Sequence, residues 1–240
     1  MKKAFLLILL LSPIINCYSQ ASTEYFNKGI EKSESQDYKG AIKDYNKAIK
    51  LDPKYVDAYI NRALAKFELK EIQPAIEDYN TAIALNPKKA AAYYNRGVLK
   101  EQTKNYKEAI LDYNKAIEID PGYIDAYNHR GGSKLSLYDY QGAITDYGKV
   151  IEINPSPGYA YYYRGLARSG AEDALGAIAD YSNAIELFPD FAPAYFNRGL
   201  AKIILEQKDQ GCKDLYKSEE LHYNKSDEAI HKYCKPVIGH

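Results

Sequence analysis

The chain has 240 residues, 46% of them hydrophobic, which is apolar material for one or two ordinary cores. Its 32 basic and 32 acidic residues cancel to a formal charge of zero, removing the electrostatic footprint expected of a nucleic-acid binder. Tyrosine is heavily used, 25 residues against one methionine and no tryptophan, and most of these tyrosines fall into a repeating pattern.

The N-terminal stretch MKKAFLLILLLSPIINCYSQ places two lysines before an apolar run from Ala4 to Ile15, interrupted by Pro13, and then a small polar exit. That order is the order of a secretory signal peptide, and the run falls short of the ~20 residues that span a bilayer as a helix. Residues 1–20 are therefore expected to be a targeting segment of a bacterial protein that is periplasmic, outer-membrane-associated or secreted. Two processing routes stay open. Cleavage near Ser19 or Gln20 releases a soluble chain. Alternatively, Cys17 stands where bacterial lipoproteins carry their lipidated cysteine, although Ile14, Ile15 and Asn16 depart from the small residues usual before it. The only membrane contact expected is the lipid anchor of the second route.

From Ser22 the chain repeats with a period of 34, in windows 22–55, 56–89, 90–123, 124–157, 158–191 and a degenerate 192–225. The fourth position reads Tyr25, Tyr59, Tyr93, Tyr127, Tyr161 and Tyr195, and the eighth is Gly or Ala throughout. The twentieth is Ala41, Ala75, Ala109, Ala143, Ala177 and Gly211; the twenty-fourth is Tyr until Leu215; the thirty-second is Pro until Tyr223. At ~100° per residue, positions four, eight and eleven share one stripe of a first helix, and the AIxDYxxAI segments supply a second helix. A large residue beside Gly or Ala lets the two approach closely, and Pro ends the pair. A constant period of this length indicates stacked units too small to bury a core singly. An active site is built once, whereas a joint repeats.

Two charges keep the same phase. Arg62, Arg96, Arg130, Arg164 and Arg198 recur at position seven, with Lys28 one period earlier, and Asp44, Asp78, Asp112, Asp146, Asp180 and Asp214 follow sixteen residues after each. They are expected to pair between neighbouring helices as a ladder. An equal number of cations beside these carboxylates argues against a catalytic or metal-binding role.

This spacing of aromatic, Gly/Ala, Ala, aromatic, Ala and Pro resembles the tetratricopeptide repeat and covers 22–225, nearly all of the mature chain. The resemblance implies an all-α fold, a right-handed superhelical solenoid of stacked antiparallel helix pairs. It also implies a concave face, lined by the first helices, that grips a protein or an extended peptide. On that face position five reads Phe26, Ile60, Tyr94, Asn128, Tyr162 and Phe196, and these are expected to be exposed contact residues. Asn27, Asn61, Asn95 and Asn197 at position six are candidate donors to a peptide backbone. Position nine is aliphatic and is expected to pack between repeats. Relatives that capture acidic C-terminal tails use a clamp of Lys, Asn and Arg there, and the resemblance does not extend to it, since positions two, five, nine and twelve carry no Lys or Arg.

After Lys202 the pattern degrades, and residues 226–240 are expected to form a capping helix, from about Ser226 to Lys235 with Ser226 as N-cap, and a tail. Cys212 and Cys234 suit a disulfide between cap and last repeat in an exported chain. One rival, a zinc site of Cys212, His222, His231 and Cys234, has a spacing of no common zinc class, and a free buried pair of thiols ranks between the two. No Gly-rich phosphate loop or nucleophile signature is present, and no catalytic residue, metal or cofactor is assigned. His129, where other repeats have Asn or Tyr, is read as drift. The expected function is a non-catalytic interaction scaffold for a protein or peptide. An envelope assembly lipoprotein and an enzyme subunit are the alternatives.

Overall fold

In a computed structural model the structure describes residues 20–154 and 156–234. Cys17 and the rest of the expected targeting segment up to Ser19 lie outside the described residues, as does the tail after Cys234. The described chain is helical with no strand: α1 (20–34), α2 (Tyr38–Leu51), α3 (Val56–Glu68), α4 (Ile72–Leu85), α5 (Ala90–Gln102), α6 (Tyr106–Ile119), α7 (Ile124–Ser136), α8 (Tyr140–Ile153), α9 (Gly158–Gly170), α10 (Ala174–Leu187), α11 (Ala192–Ile204), α12 (Lys208–Glu220) and α13 (Ser226–Tyr233). Each 34-residue window holds one helix pair, so the all-α repeat architecture stands.

The chain forms two compact units. One runs to Asn105 and includes Glu118–Asp120; the other comprises Tyr106–Ile117 and everything from Pro121. In the first, α2 packs on α3, α3 on α4 and α4 on α5. In the second, packing proceeds through α7, α8, α9, α10, α11, α12 and α13, each on the next.

Local chemistry sets the helix ends. Each first helix stops in a left-handed residue at position fifteen: Gln36, Lys70, Lys104, Tyr138, Glu172 and Glu206 have φ between 61° and 65°. In the second window this turn lets Glu71 N–H donate to Lys66 O at 2.9 Å and Lys70 N–H to Phe67 O at 2.8 Å, so the last carbonyls find partners. A non-glycine residue gives up about 1 kcal/mol there, offset by those bonds and by tight entry into the second helix. The second helices of the first four windows, α2, α4, α6 and α8, stop at an Asx residue before Pro, whereas α10 stops at Phe188 and α12 at Leu221. Asp52 Oδ1 accepts from Lys54 N–H at 2.9 Å, and Asn86 Oδ1 from Lys88 N–H at 3.0 Å, a side-chain turn that resets the chain for the next first helix.

The core is built from the repeated small and large residues. The alanines at position twenty are fully buried from Ala41 to Ala177, and Tyr45, Tyr79, Tyr113, Tyr147 and Tyr181 are at most 3% exposed. The glycine at position eight is what admits the ring: a Cβ on Gly165 would lie 2.6 Å from Tyr181 Cε1. Burial pushes the phenols of Tyr45, Tyr79 and Tyr181 up from their ordinary range.

The end of the array differs in detail from expectation. α13 does cover an apolar face: Ala229 and Ile230 pack with Leu215 against Phe196, Leu200 and Ile203. Ser226 is not an N-cap, however. It is the first helical residue, fully buried, with Oγ donating to Ser218 Oγ at 2.9 Å, and Ser218 Oγ in turn donates to Ala192 O at 3.0 Å. A buried hydroxyl chain ties the cap to the last repeat, because burial leaves these groups no water to bond.

Candidate interaction surface

The repeated charges form a joint. In the fifth window Arg164 on α9 grips Asp180 on α10 in a fork, Nε to Oδ2 at 2.9 Å and Nη2 to Oδ1 at 2.7 Å. Arg62 does the same to Asp78, Arg130 to Asp146 and Arg198 to Asp214. A second cation, not among the candidate residues of the sequence, completes the joint. Position eleven, one turn further along the same first helix, also reaches the carboxylate: Lys66 to Asp78 at 2.7 Å, Lys134 to Asp146 at 2.8 Å, Arg168 to Asp180 at 3.0 Å and Lys202 to Asp214 at 2.7 Å. The signal was available, since position eleven is Lys or Arg in all six windows.

A third arm reaches back one repeat. Arg62 Nη1 donates to Asn46 Oδ1 at 2.5 Å, Arg96 to Asn80 at 2.6 Å, Arg130 to Asn114 at 2.6 Å and Arg198 to Ser182 Oγ at 3.1 Å. In the fifth window the corresponding residue is Gly148, whose backbone leaves Arg164 Nη1 3.8 Å from where a Cβ would be. The position-four tyrosine supports each guanidinium by its ring face, as Tyr161 does at 5.5 Å from Arg164 Cζ. Asp180 holds the Arg164 guanidinium up from its ordinary value, chiefly through their hydrogen bonds.

The first window is built more weakly. Lys28 replaces Arg and pairs with Glu24 at 2.6 Å, leaving Asp44 to Lys32 and Lys47, whose side chains are 42% and 55% exposed. Burial pushes the Asp44 carboxyl up, but hydrogen bonds from Lys32 and Lys47 outweigh it and hold the group below the usual aspartate range.

Position five is not the exposed row expected of it. Ile60 is 6% exposed and belongs to the core with Ala63 and Tyr79. Phe26 packs 4.8 Å from the Tyr55 ring, Tyr162 4.8 Å from Phe191, and Phe196 5.1 Å from Tyr223; Tyr94 and Asn128 are half-buried. In the first, fifth and sixth windows the reason is an aromatic in the loop ending the window, Tyr55, Phe191 or Tyr223, whose ring packs on position five. Burial, with neighbouring Tyr223 and Tyr163 adding to it, pushes the Tyr162 phenol up to about 12. At position six, Asn61 and Asn197 turn their amides onto their own helix, donating to Asp57 O at 2.9 Å and Pro193 O at 2.8 Å; Asn95 is half-buried and Asn27 exposed.

Exposed aromatic surface lies instead at positions two and six of α9. Tyr159 is 59% exposed against Phe188 and Phe191, and Tyr163 is 41% exposed, stacked on Tyr147 at 5.6 Å and 17°. With Tyr162 between them this makes a tyrosine patch on the first-helix face of the second unit. At the end of that unit Cys212 and Cys234 lie side by side with Cα atoms 5.6 Å apart, a spacing that a disulfide can bridge. Among the described residues no group of three His, Cys, Asp or Glu could hold a metal ion.

Models of the tetratricopeptide repeat match residues 33–70, 64–104, 90–123 and 124–157, together more than half of the chain. The chain belongs to the tetratricopeptide-repeat family. Tetratricopeptide repeats generally serve as non-catalytic scaffolds for protein–protein interaction. Among solved structures, the MamA protein is 29% identical with a TM-score of 0.66, the match covering 72% of this chain and 95% of that one. YrrB, described as a tetratricopeptide-repeat protein with an unusual peptide-binding site, is 22% identical at TM-score 0.72 over 78% of this chain and 97% of its own. PilF of Pseudomonas aeruginosa is 18% identical at TM-score 0.72 over 90% and 99%. At these lower identities the likeness to YrrB and PilF is one of fold. Among curated proteins no significant match is found.

The tetratricopeptide joint makes a graded prediction. Asp180→Asn leaves Arg164 and Arg168 facing a neutral amide in a nearly water-free position, and is expected to cost about 2 kcal/mol in urea unfolding. Asp44→Asn, whose partners stay hydrated, should cost clearly less. Because the folded Asp44 carboxyl is depressed, its contribution is present above about pH 4 and lost as the pH falls through its lower folded value. Acid unfolding of Asp44→Asn should therefore converge with the parent at low pH; a constant gap between them would contradict the assignment.

Proposed function

We propose that this protein is a scaffold that holds a partner protein or extended peptide on the first-helix face, with α9 as its principal contact. The observation that carries this reading is the solvent-exposed tyrosine patch of Tyr159 and Tyr163, braced from below by Tyr162, Phe188, Phe191 and Tyr147. Rigid aromatics with a polar tip supply contact area at little entropic cost and are enriched in binding hot spots. Around them the face is neutral: Leu166 and Ser169 on α9 and Pro193, Asn197 and Leu200 on α11 carry no charge. A partner segment that is itself largely uncharged suits it, since a charged one would lose hydration without a counter-charge.

In this reading the chain works outside the cytoplasm. The apolar run Ala4–Ile15 behind two lysines supports export, and an oxidising compartment is where a Cys212–Cys234 disulfide persists. Closing that loop would restrict the unfolded chain by roughly 3 kcal/mol. No helix among the described residues is long and apolar enough to cross a membrane. A lipid on Cys17 is the alternative to release.

Tyr159→Ala combined with Tyr163→Ala should reduce capture of the partner from native envelope extract by about 30-fold, the equivalent of ~2 kcal/mol at a hot spot. Helical circular dichroism should be unchanged, since both rings lie at the surface, Tyr159 59% and Tyr163 41% exposed. Undiminished capture by the double variant would refute the assignment of this face. A separate measurement bears on export: the intact mass of the native protein should correspond to a chain starting near Gln20, or to an acylated Cys17, with Cys212 and Cys234 oxidised. A retained Met1 with two free thiols would defeat that part of the account.

A further inference from the structure

One surface stands apart from the repeat. α2 carries Lys39, Lys43, Lys47 and Lys50, all exposed, and Lys54 follows in the turn. At ~100° per residue the four helical lysines fall within an arc of about 80°, facing away from Ala41, Tyr45 and Ala48 in the core. The only acid in α2 is Asp44, which is buried at 3% exposure and turned inward onto Lys32 and Lys47. Lys39, Lys43, Lys50 and Lys54 make no ion pair among the described residues. The equivalent helices elsewhere lack this face: α4 and α10 contain no Lys or Arg, α8 has Lys149 neutralised by Glu152 at 2.8 Å, α6 mixes Lys107 and Lys115 with Glu108 and Glu118, and α12 mixes Lys208, Lys213 and Lys217 with Asp209, Glu219 and Glu220, Lys217 pairing with Glu220 at 2.7 Å.

The lysine face borders an apolar recess. Tyr25 of α1 and Leu51 of α2 form, with Lys47 and Lys50, a pocket of about 350 Å³, and Lys47 Nζ sits 4.8 Å over the Tyr25 ring. An amphipathic tyrosine flanked by flexible cations is the side-chain set found where protein meets the headgroup layer. The placement in the chain selects the occupant. α1 follows directly on the segment whose apolar run 4–15 is directed at a membrane, and α1 is locked to α2 by Phe26 against Tyr45 and by Lys32 with Asp44.

We propose that the outer face of α2 docks this protein on the anionic surface of a phospholipid bilayer, with lipid phosphates received between Lys47 and Lys50 beside Tyr25. The inference rests on the export reading for its choice of a bilayer as the occupant; the attraction for an anionic surface rests on the lysine face itself. A basic face of this kind supplies the second signal that a single lipid chain needs for stable attachment, and supplies weaker, reversible contact without one. It would leave the tyrosine patch of α9, in the other unit, for the protein partner.

The test is partition of the full processed chain onto phosphatidylcholine vesicles with and without phosphatidylglycerol. Phosphatidylglycerol should raise partitioning, and added salt should abolish the gain. Lys39→Gln/Lys43→Gln/Lys50→Gln should lower that gain by about fivefold per lysine, on the order of 100-fold together. A control, Lys208→Gln/Lys213→Gln/Lys225→Gln, changes net charge equally at exposed sites of the second unit and should leave the gain intact. Equal loss in both triple variants would reduce the effect to net charge and overturn the proposal. So would binding indifferent to phosphatidylglycerol, or salt-sensitive binding to duplex DNA with none to the vesicles. Export failing in the mass measurement, with α2-dependent partitioning retained, would separate the two readings.

Discussion

A buried aspartate clamped by two cations of the facing helix is the interaction on which this array depends. Asp78, Asp146, Asp180 and Asp214 are each held by the residues at positions seven and eleven of their own window, and the arginine extends a further arm to the preceding second helix where Asn46, Asn114 or Ser182 offers an oxygen. Burying a carboxylate is costly unless its lone pairs are filled. Here they are filled by groups adjacent in sequence to the small–large contact between the two helices, Gly165 with Tyr181 in the fifth window. Apolar packing brings the helices together, and the charge fork fixes the register in which they meet.

This division explains how one sequence pattern can serve six times while the surface varies. Ala at twenty, Tyr at twenty-four and the Arg–Asp–Lys joint face inward and are nearly constant. The outward positions are free to differ, and they do: four lysines along α2, tyrosines on α9, Leu111 and Leu175 exposed on α6 and α10. What the chain recognises is written in these departures. The repeated motif itself supplies only the rigid element on which they are displayed.

The period, the helical hairpins, the small–large packing and the Arg–Asp pairing were legible in the sequence, because each follows from fixed spacing and helical phase. Position five was misread for an identifiable reason. A helical projection places Phe26 and Tyr162 on the outer face of an isolated hairpin, but it contains no information about the loop that returns Tyr55 or Phe191 over them, nor about the neighbouring helices that bury Ile60. The second cation, four residues after the first, is equally regular in spacing, but a charge one turn along a helix is as compatible with a solvated face as with a buried carboxylate. Ser226 looked like a cap from its position before a short helix. Its burial against Ser218 depends on how α13 seats on α12, which no local pattern encodes.

The central claim is that position seven and position twenty-three form one energetic unit rather than two solvated charges that share a phase. A double-mutant cycle on Arg164→Ala and Asp180→Ala, read by equilibrium urea unfolding, tests it most directly. The account predicts a coupling of about 1.5–3 kcal/mol, with each single substitution costing most of what the pair costs together. Additive effects, with coupling below about 0.5 kcal/mol, would contradict it.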